Sequence, residues 1–225
     1  MMAVVARLEG GTATEGLRMS TSGEPEFEYT GGILCLDFAN TSRWQPPSRD
    51  GIPRYDRLVA WAVGAGSLSS AAAGRLRHEA ERRPRPAARV LERALSLRRA
   101  IYATFSAVAA GRKPRTEDIE AIGAAASGAA ANFRIRPQGD RYVWEAVTPD
   151  GEADLDRPLW GVARSAAGLL TSEDLPTVRE CALESCNWLF LDRSRNGRRR
   201  WCDMRICGNR SKARRHYARV RRGAA

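Results

Sequence analysis

The sequence predicts an α+β protein: a mainly helical body with a small antiparallel sheet, followed by a C-terminal four-cysteine module built of a β-hairpin and a helix. Three observations predict it. Apolar residues recur at spacings of three and four through residues 54–131 and 159–170. The period switches to two between residues 132 and 147. Four of the five cysteines fall in two close pairs within the last 49 residues.

The bulk composition frames these elements. A chain of 225 residues with 43% hydrophobic and 28% charged residues has room for one core and an appendage. No apolar run approaches about 18 residues, so no membrane-spanning helix is expected. Residues 1–6 are apolar, but Arg7 and Glu9 cut the run short of a secretory h-region. A cytoplasmic location is therefore expected, where thiols stay reduced and clustered cysteines bind metal rather than pair.

Taken in order, residues 1–24 lack periodicity and read as a disordered leader, with Met19 an alternative start. Residues 25–174 form the body. Its first apolar run, LCLDFANT at residues 34–41, suits either a strand or a buried helix start. Residues 54–66 place Leu58, Trp61 and Ala62 on one helical face and stop at glycine. Residues 69–82 follow, with Ser69 or Ser70 as N-cap and Pro84 and Pro86 as the stop.

The strongest helix is 87–110. Val90, Leu91, Ala94, Leu97, Ile101, Phe105 and Val108 form its stripe, and Gly111 ends it. Residues 116–131 form another, with Thr116 as N-cap. Phe133 and Ile135, then Tyr142 and Trp144, flank Gln138-Gly139-Asp140 and read as a hairpin. Residues 159–170 complete the body, and Leu175-Pro176 opens the C-terminal module, 175–225.

Charge singles out that module. The chain carries a net +11, from 37 basic and 26 acidic residues. Residues 177–225 hold 14 basic and four acidic side chains, a net +10, which leaves +1 on the other 176 residues. An arginine-rich codon bias would spread evenly, whereas a polyanion-binding appendage concentrates charge.

Cys181, Cys186, Cys202 and Cys207 are arranged C-x4-C-x15-C-x4-C. Four thiolates at tetrahedral corners suit Zn2+, and two close pairs joined by a loop supply them. A 49-residue segment poor in apolar residues needs such a staple to fold. In the linking loop, residues 188–191 read as a strand, 194–197 as a turn and 198–201 as the returning strand. Trp188, Phe190 and Trp201 then form a small core around the metal, and Arg198, Arg199 and Arg200 lie on the return.

Beyond Cys207 a helix pattern places Ala213, Tyr217 and Val220 on one stripe, extended back by Ile206. Lys212, Arg215, Arg219 and Arg222 share another face, with Arg210 and Arg214 beside the stripe. Like charges at these spacings repel unless an anion such as nucleic-acid phosphate neutralises them. A merely solvated face is the alternative. Asn209 and Arg210 are the residue types that read adenine and guanine edges.

The segments WLFLD (188–192), RRRWC (198–202) and CGNR (207–210) resemble the CGNR zinc finger. LCLDFANT, DRLVAWAVGAGSLS (56–69) and LLTSEDLPTVREC (169–181) resemble the ABATE domain that precedes it in bacterial stress-induced transcription regulators. The resemblance spans about residues 27–222 and implies zinc binding by the four cysteines and DNA binding by the basic module.

The expected partner is duplex DNA. RNA is the alternative, favoured if Trp188 and Phe190 are exposed for base stacking. A palindromic DNA site would imply a homodimer. No effector, DNA sequence or direction of regulation is legible. Gly64-Ala65-Gly66 lacks the third glycine of a dinucleotide fingerprint. No nucleophile–base pair accompanies Asp37, so no catalytic residue is assigned and no enzyme is expected. His78 reads as a surface residue, His216 as a phosphate contact or competing ligand, and Cys35 as a small buried side chain. Asp37 and Asn40, polar residues in an apolar run, call for hydrogen-bond partners.

Overall fold

The longest helix organises the body. The computed structural model describes residues 27–42, 50–148 and 153–223, so the expected leader at 1–24 lies outside the described residues. The elements run α1 (Leu34–Ala39), α2 (Tyr55–Gly64), α3 (Ser70–Arg82), α4 (Pro84–Ala109), α5 (Thr116–Ala130), β1 (Phe133–Gln138), β2 (Arg141–Ala146), α6 (Arg157–Leu170), β3 (Val178–Glu180), β4 (Leu189–Leu191) and α7 (Asn209–Gly223). No described helix is long and apolar enough to cross a membrane.

Val90, Ala94, Leu97, Ile101 and Phe105 of α4 are all buried, at the three- and four-residue spacing that puts them on one stripe. Its start differs from the expected one. Pro84 and Pro86 open α4 instead of merely closing α3, because a proline in the first turn gives up an N–H that has no partner there anyway. The Ser69 hydroxyl caps α3, accepting from the Ala72 N–H at 3.2 Å. Thr116 is not the cap of α5; Arg115 takes that position without a side-chain bond.

The LCLDFANT run is a helix. Five of the six residues of α1 are buried, packed by α4, α6 and β4. A short helix buried on nearly every side, Asp37 included, has no polar stripe to distinguish it from a strand, hence its two sequence readings. Phe38 meets Trp61 of α2 with ring centroids 4.9 Å apart.

The expected hairpin forms. β1 and β2 pair antiparallel from Phe133↔Ala146 to Gln138↔Arg141, and Gly139 turns at φ 64°. Its base is anchored by Phe133 and Ala146, which pack with Ala129 of α5 and Trp160 of α6, and the Arg164 guanidinium of α6 lies 5.3 Å from the Phe133 ring centre and 5.2 Å from that of Trp144.

The second sheet corrects the expected strand pairing. β4 pairs with β3 (Val178↔Leu191, Arg179↔Phe190, Glu180↔Leu189), not with residues 198–201, which form no strand. Strand alternation explains the choice. Val178, Leu189 and Leu191 join the body's core, whereas Phe190 faces the cysteines. Residues 198–200 are three arginines and offer neither core an apolar side chain. They are held by single contacts such as Ala182 N–H to the Arg200 carbonyl at 2.8 Å. Body core thus continues past residue 175, through β3 and β4.

Candidate metal centre

The two cysteine pairs reach one point by different local devices. Cys181 follows β3, and its N–H donates to the Trp188 carbonyl at 2.8 Å. Cys186 closes a tight turn, its N–H donating to Leu183 at 2.7 Å. Asn187 then reverses the chain at φ 56°, a left-handed conformation that asparagine tolerates better than most residues. The second pair is shaped by Asp203. Its carboxylate accepts from the Ile206 N–H at 2.9 Å, and its carbonyl accepts from the Cys207 and Gly208 N–H groups at 3.0 and 3.1 Å. One π-turn, Met204–Gly208, results and carries Cys207 back towards Cys202.

All four Sγ atoms lie within 4.8 Å of one another. Cys202 Sγ is 3.6 Å from both Cys186 Sγ and Cys207 Sγ. Four sulfurs placed 2.3 Å from a common centre at tetrahedral corners would be about 3.8 Å apart, so the donor set fits a tetrahedral metal site. Crowding sets the thiols against each other. Hydrogen bonds from Cys186 and its neighbours hold Cys181 far below the ordinary thiol range, while those with Cys181 and Cys186 push Cys202 and Cys207 far above it. A dication at the centre removes that conflict by stabilising four thiolates together.

Around the sulfurs, Leu183 and Phe190 are buried and Trp188 and Trp201 half-buried, the small core expected from the sequence. Trp188 also donates its indole N–H to the Ser42 carbonyl at 3.3 Å.

The residues expected to meet nucleic acid separate into two groups. Arg199 turns inward: Nε donates to the Trp201 carbonyl at 2.9 Å, a terminal nitrogen donates to the Cys202 carbonyl, and the guanidinium lies 4.4 Å from the Phe190 ring centre. Its Nε and one terminal nitrogen are thereby engaged within the module, and its role as a nucleic-acid contact stays a proposal. Arg198 and Arg200 are exposed, Arg200 lying 5.3 Å from the Trp201 ring. Asn209, Arg210, Lys212, Arg214, Arg215 and Arg219 are exposed along α7. The Arg222 side chain lies outside those described. Of the apolar stripe on this helix the described members do not pack back, and the Tyr217 side chain lies outside those described. Ile206, Ala213 and Val220 are exposed, because α7 contacts little beyond the π-turn before it.

Two residues of the site went unassigned in the sequence. Asp192 is buried, and its carboxylate accepts from the Ser194 N–H at 3.0 Å, the Ser194 hydroxyl at 2.5 Å and the Arg199 N–H at 2.9 Å. It folds the exposed arginine loop 193–198. The D-x-S-x-N-G pattern there is an Asx-turn signal that could have identified it. Glu180 joins finger to body, accepting from Ser106 of α4 at 2.6 Å and from Asn187 at 2.9 Å. No local pattern marks it.

The polar residues of α1 serve structure. Asp37 accepts the Gly31 N–H at 2.7 Å, and Asn40 binds the Leu189 backbone. Cys35 is fully buried, and burial pushes its thiol up to about 12.

Two family models match the chain. One, ABATE, described as "Putative stress-induced transcription regulator", covers residues 32–173. The other, the CGNR zinc finger, covers residues 177–220. No curated protein matches the sequence.

Proposed function

The chain belongs to the ABATE family and ends in a CGNR zinc finger, and from that premise we propose a zinc-dependent regulator of transcription that binds duplex DNA. Zn2+ held by Cys181, Cys186, Cys202 and Cys207 would supply the folding free energy of the module. The body would sense a signal or mediate assembly, in the cytoplasm, and no catalytic residue is assigned to it.

One observation carries the reading. Helix α7 contains no acidic residue, and Arg210, Lys212, Arg214, Arg215 and Arg219 are exposed on it without an ion pair among the described residues. That concentration of unpaired charge is unfavourable until phosphates neutralise it, and the gain is the release of counterions from the nucleic acid. Arg198 and Arg200 add a second basic element on the metal loop. Asn209 and Arg210 stand at the start of α7, the end of a helix that enters a major groove in many DNA readers.

Duplex DNA is favoured over RNA by the aromatics. Phe190 is fully buried, and Trp188 and Trp201 pack on the cysteine cluster, so none of the three offers a free stacking platform.

The test is a selection of bound sequences from a random duplex library with the zinc-loaded chain, repeated with a chelator. Enrichment that disappears on chelation is expected, with affinity that falls steeply as salt rises. A zinc-loaded protein that ignores duplex DNA at about 50 mM salt overturns the reading.

A further inference from the structure

The β1–β2 hairpin leaves the body with an uncovered face and one unprotected edge. Register puts Ile135, Pro137, Tyr142 and Trp144 on the face that begins with buried Phe133 and half-buried Ala146. Beyond that base the Arg164 guanidinium of α6 lies 5.2 Å from the Trp144 ring centre, yet Ile135 is 58%, Tyr142 75% and Trp144 51% exposed. An isolated two-stranded ribbon is marginal in water.

The two edges differ. The Val147 N–H donates to the Asn132 carbonyl at 2.8 Å, so 132↔147 is a hydrogen-bonded pair of the antiparallel ladder. Such pairs alternate, and 134↔145, 136↔143 and 138↔141 are therefore bonded too. The peptide groups of residues 142, 144 and 146 then point out from the free edge of β2. The carbonyl of Ala146 is taken by Arg157 at 3.2 Å. Those of Tyr142 and Trp144 have no bond among the described residues. β1 is guarded at its own edge by Pro137, which has no N–H to offer. β2 carries no such block.

We propose that β2 is the homodimer interface, pairing edge to edge with β2 of a second copy to build a four-stranded antiparallel sheet. The strand is complementary to itself. Residues 141–145 read Arg-Tyr-Val-Trp-Glu. Within the chain Glu145 already lies 3.4 Å from Arg136 of β1, with both side chains exposed; a two-fold axis at Val143 sets Arg141 of the second copy opposite Glu145 as an additional partner, and Tyr142 opposite its Trp144. In that register the outward peptide groups of Tyr142 and Trp144 bond their counterparts, four hydrogen bonds in all. Both charge pairs lie on one face and both aromatic pairs on the other, where Ile135 extends the apolar strip. A shift by one residue sets Arg141 against Trp144 in one direction or Ala146 in the other and loses both ion pairs, so register is specified by charge as well as by the pleat.

The interface is independent of the DNA reading, since a monomer could still bind DNA and a dimer could fail to. The zinc-loaded full chain is tested by sedimentation equilibrium over the micromolar range. Apparent mass is expected to rise with concentration from 24.8 kDa towards twice that value. Arg141→Glu and Glu145→Arg each place like charges in opposition and are expected to stay monomeric. The double variant restores opposite charges and is expected to dimerise again, which loss of folding in the single variants could not produce. A wild-type chain monomeric throughout, single variants that dimerise like wild type, or a double variant that stays monomeric would each overturn the proposal.

Discussion

Asn40 grips both hydrogen-bonding groups of the Leu189 backbone: Nδ2 donates to the carbonyl at 2.8 Å, and Oδ1 accepts from the N–H at 2.9 Å. Asn40 follows α1 at the centre of the body, and Leu189 begins β4, three residues after ligand Cys186. One buried carboxamide therefore acts as an extra rung on the sheet that leads into the metal site. Asn40→Ala leaves a buried N–H and a buried C=O without partners, at about 2–4 kcal/mol. The expected result is a fall in thermal midpoint of roughly 5–10 °C with the metal content unchanged. Calorimetry and metal analysis on the same preparation check both halves.

That contact also marks what the sequence discloses and what it does not. The four ligands were legible because metal-ligand spacing is a local property of Cys181, Cys186, Cys202 and Cys207. The stripe of α4 was legible because its periodicity runs for 26 residues. The partner of β4 was not. It depends on Val178, Leu189 and Leu191 reaching α1 and α4, which end more than 60 residues earlier, and nothing near the cysteines records that core. Arg199 was equally hidden, since three consecutive arginines look alike until the Phe190 ring and two carbonyls select one of them. The stripe on α7 misled for the opposite reason: its period is real, but no surface comes to meet Ile206 or Val220.

Asp37 gives the body a pH dependence of unusual sign. Burial raises its carboxyl from 3.8 to about 7, against a smaller lowering by the Gly31 N–H. The folded state thus holds a proton that the unfolded state has released between about pH 4 and pH 7. Its contribution is fully present below about pH 4 and is lost as pH rises through about 7, by at most about 4 kcal/mol. Asp37→Asn keeps an acceptor for Gly31 and carries no charge to bury. Urea unfolding should find wild type and variant similar near pH 4 and the variant more stable at pH 8.

Loss of one ligand should separate the two parts of the chain. Cys202 sits 3.6 Å from two other sulfurs, so Cys202→Ser removes a central donor. Bound zinc should fall from about one per chain to well below that in metal analysis. Far-UV circular dichroism should lose little helix beyond α7, because the core of α1–α6 contains none of the four ligands. The unfolding midpoint should still drop, since β3 and β4 bring Val178, Leu189 and Leu191 to that core from the finger.

Neighbouring arginines should have opposite phenotypes. Arg199 is tied to the Trp201 and Cys202 carbonyls and covers Phe190, next to the ligands. Arg199→Ala uncaps those carbonyls and uncovers the ring, a loss of about 1–3 kcal/mol to the finger. A chelator should then strip the metal at lower concentration. Arg198 and Arg215 are exposed, and their alanine variants should retain metal like wild type. If the basic surface meets phosphates as proposed, each of those two variants lowers the slope of log affinity against log salt by about one contact's worth, roughly 0.9. Arg199→Ala, compared at full metal loading, should leave that slope unchanged. A slope altered by Arg199→Ala and untouched by Arg198→Ala and Arg215→Ala would reverse the assignment of inward and outward arginines.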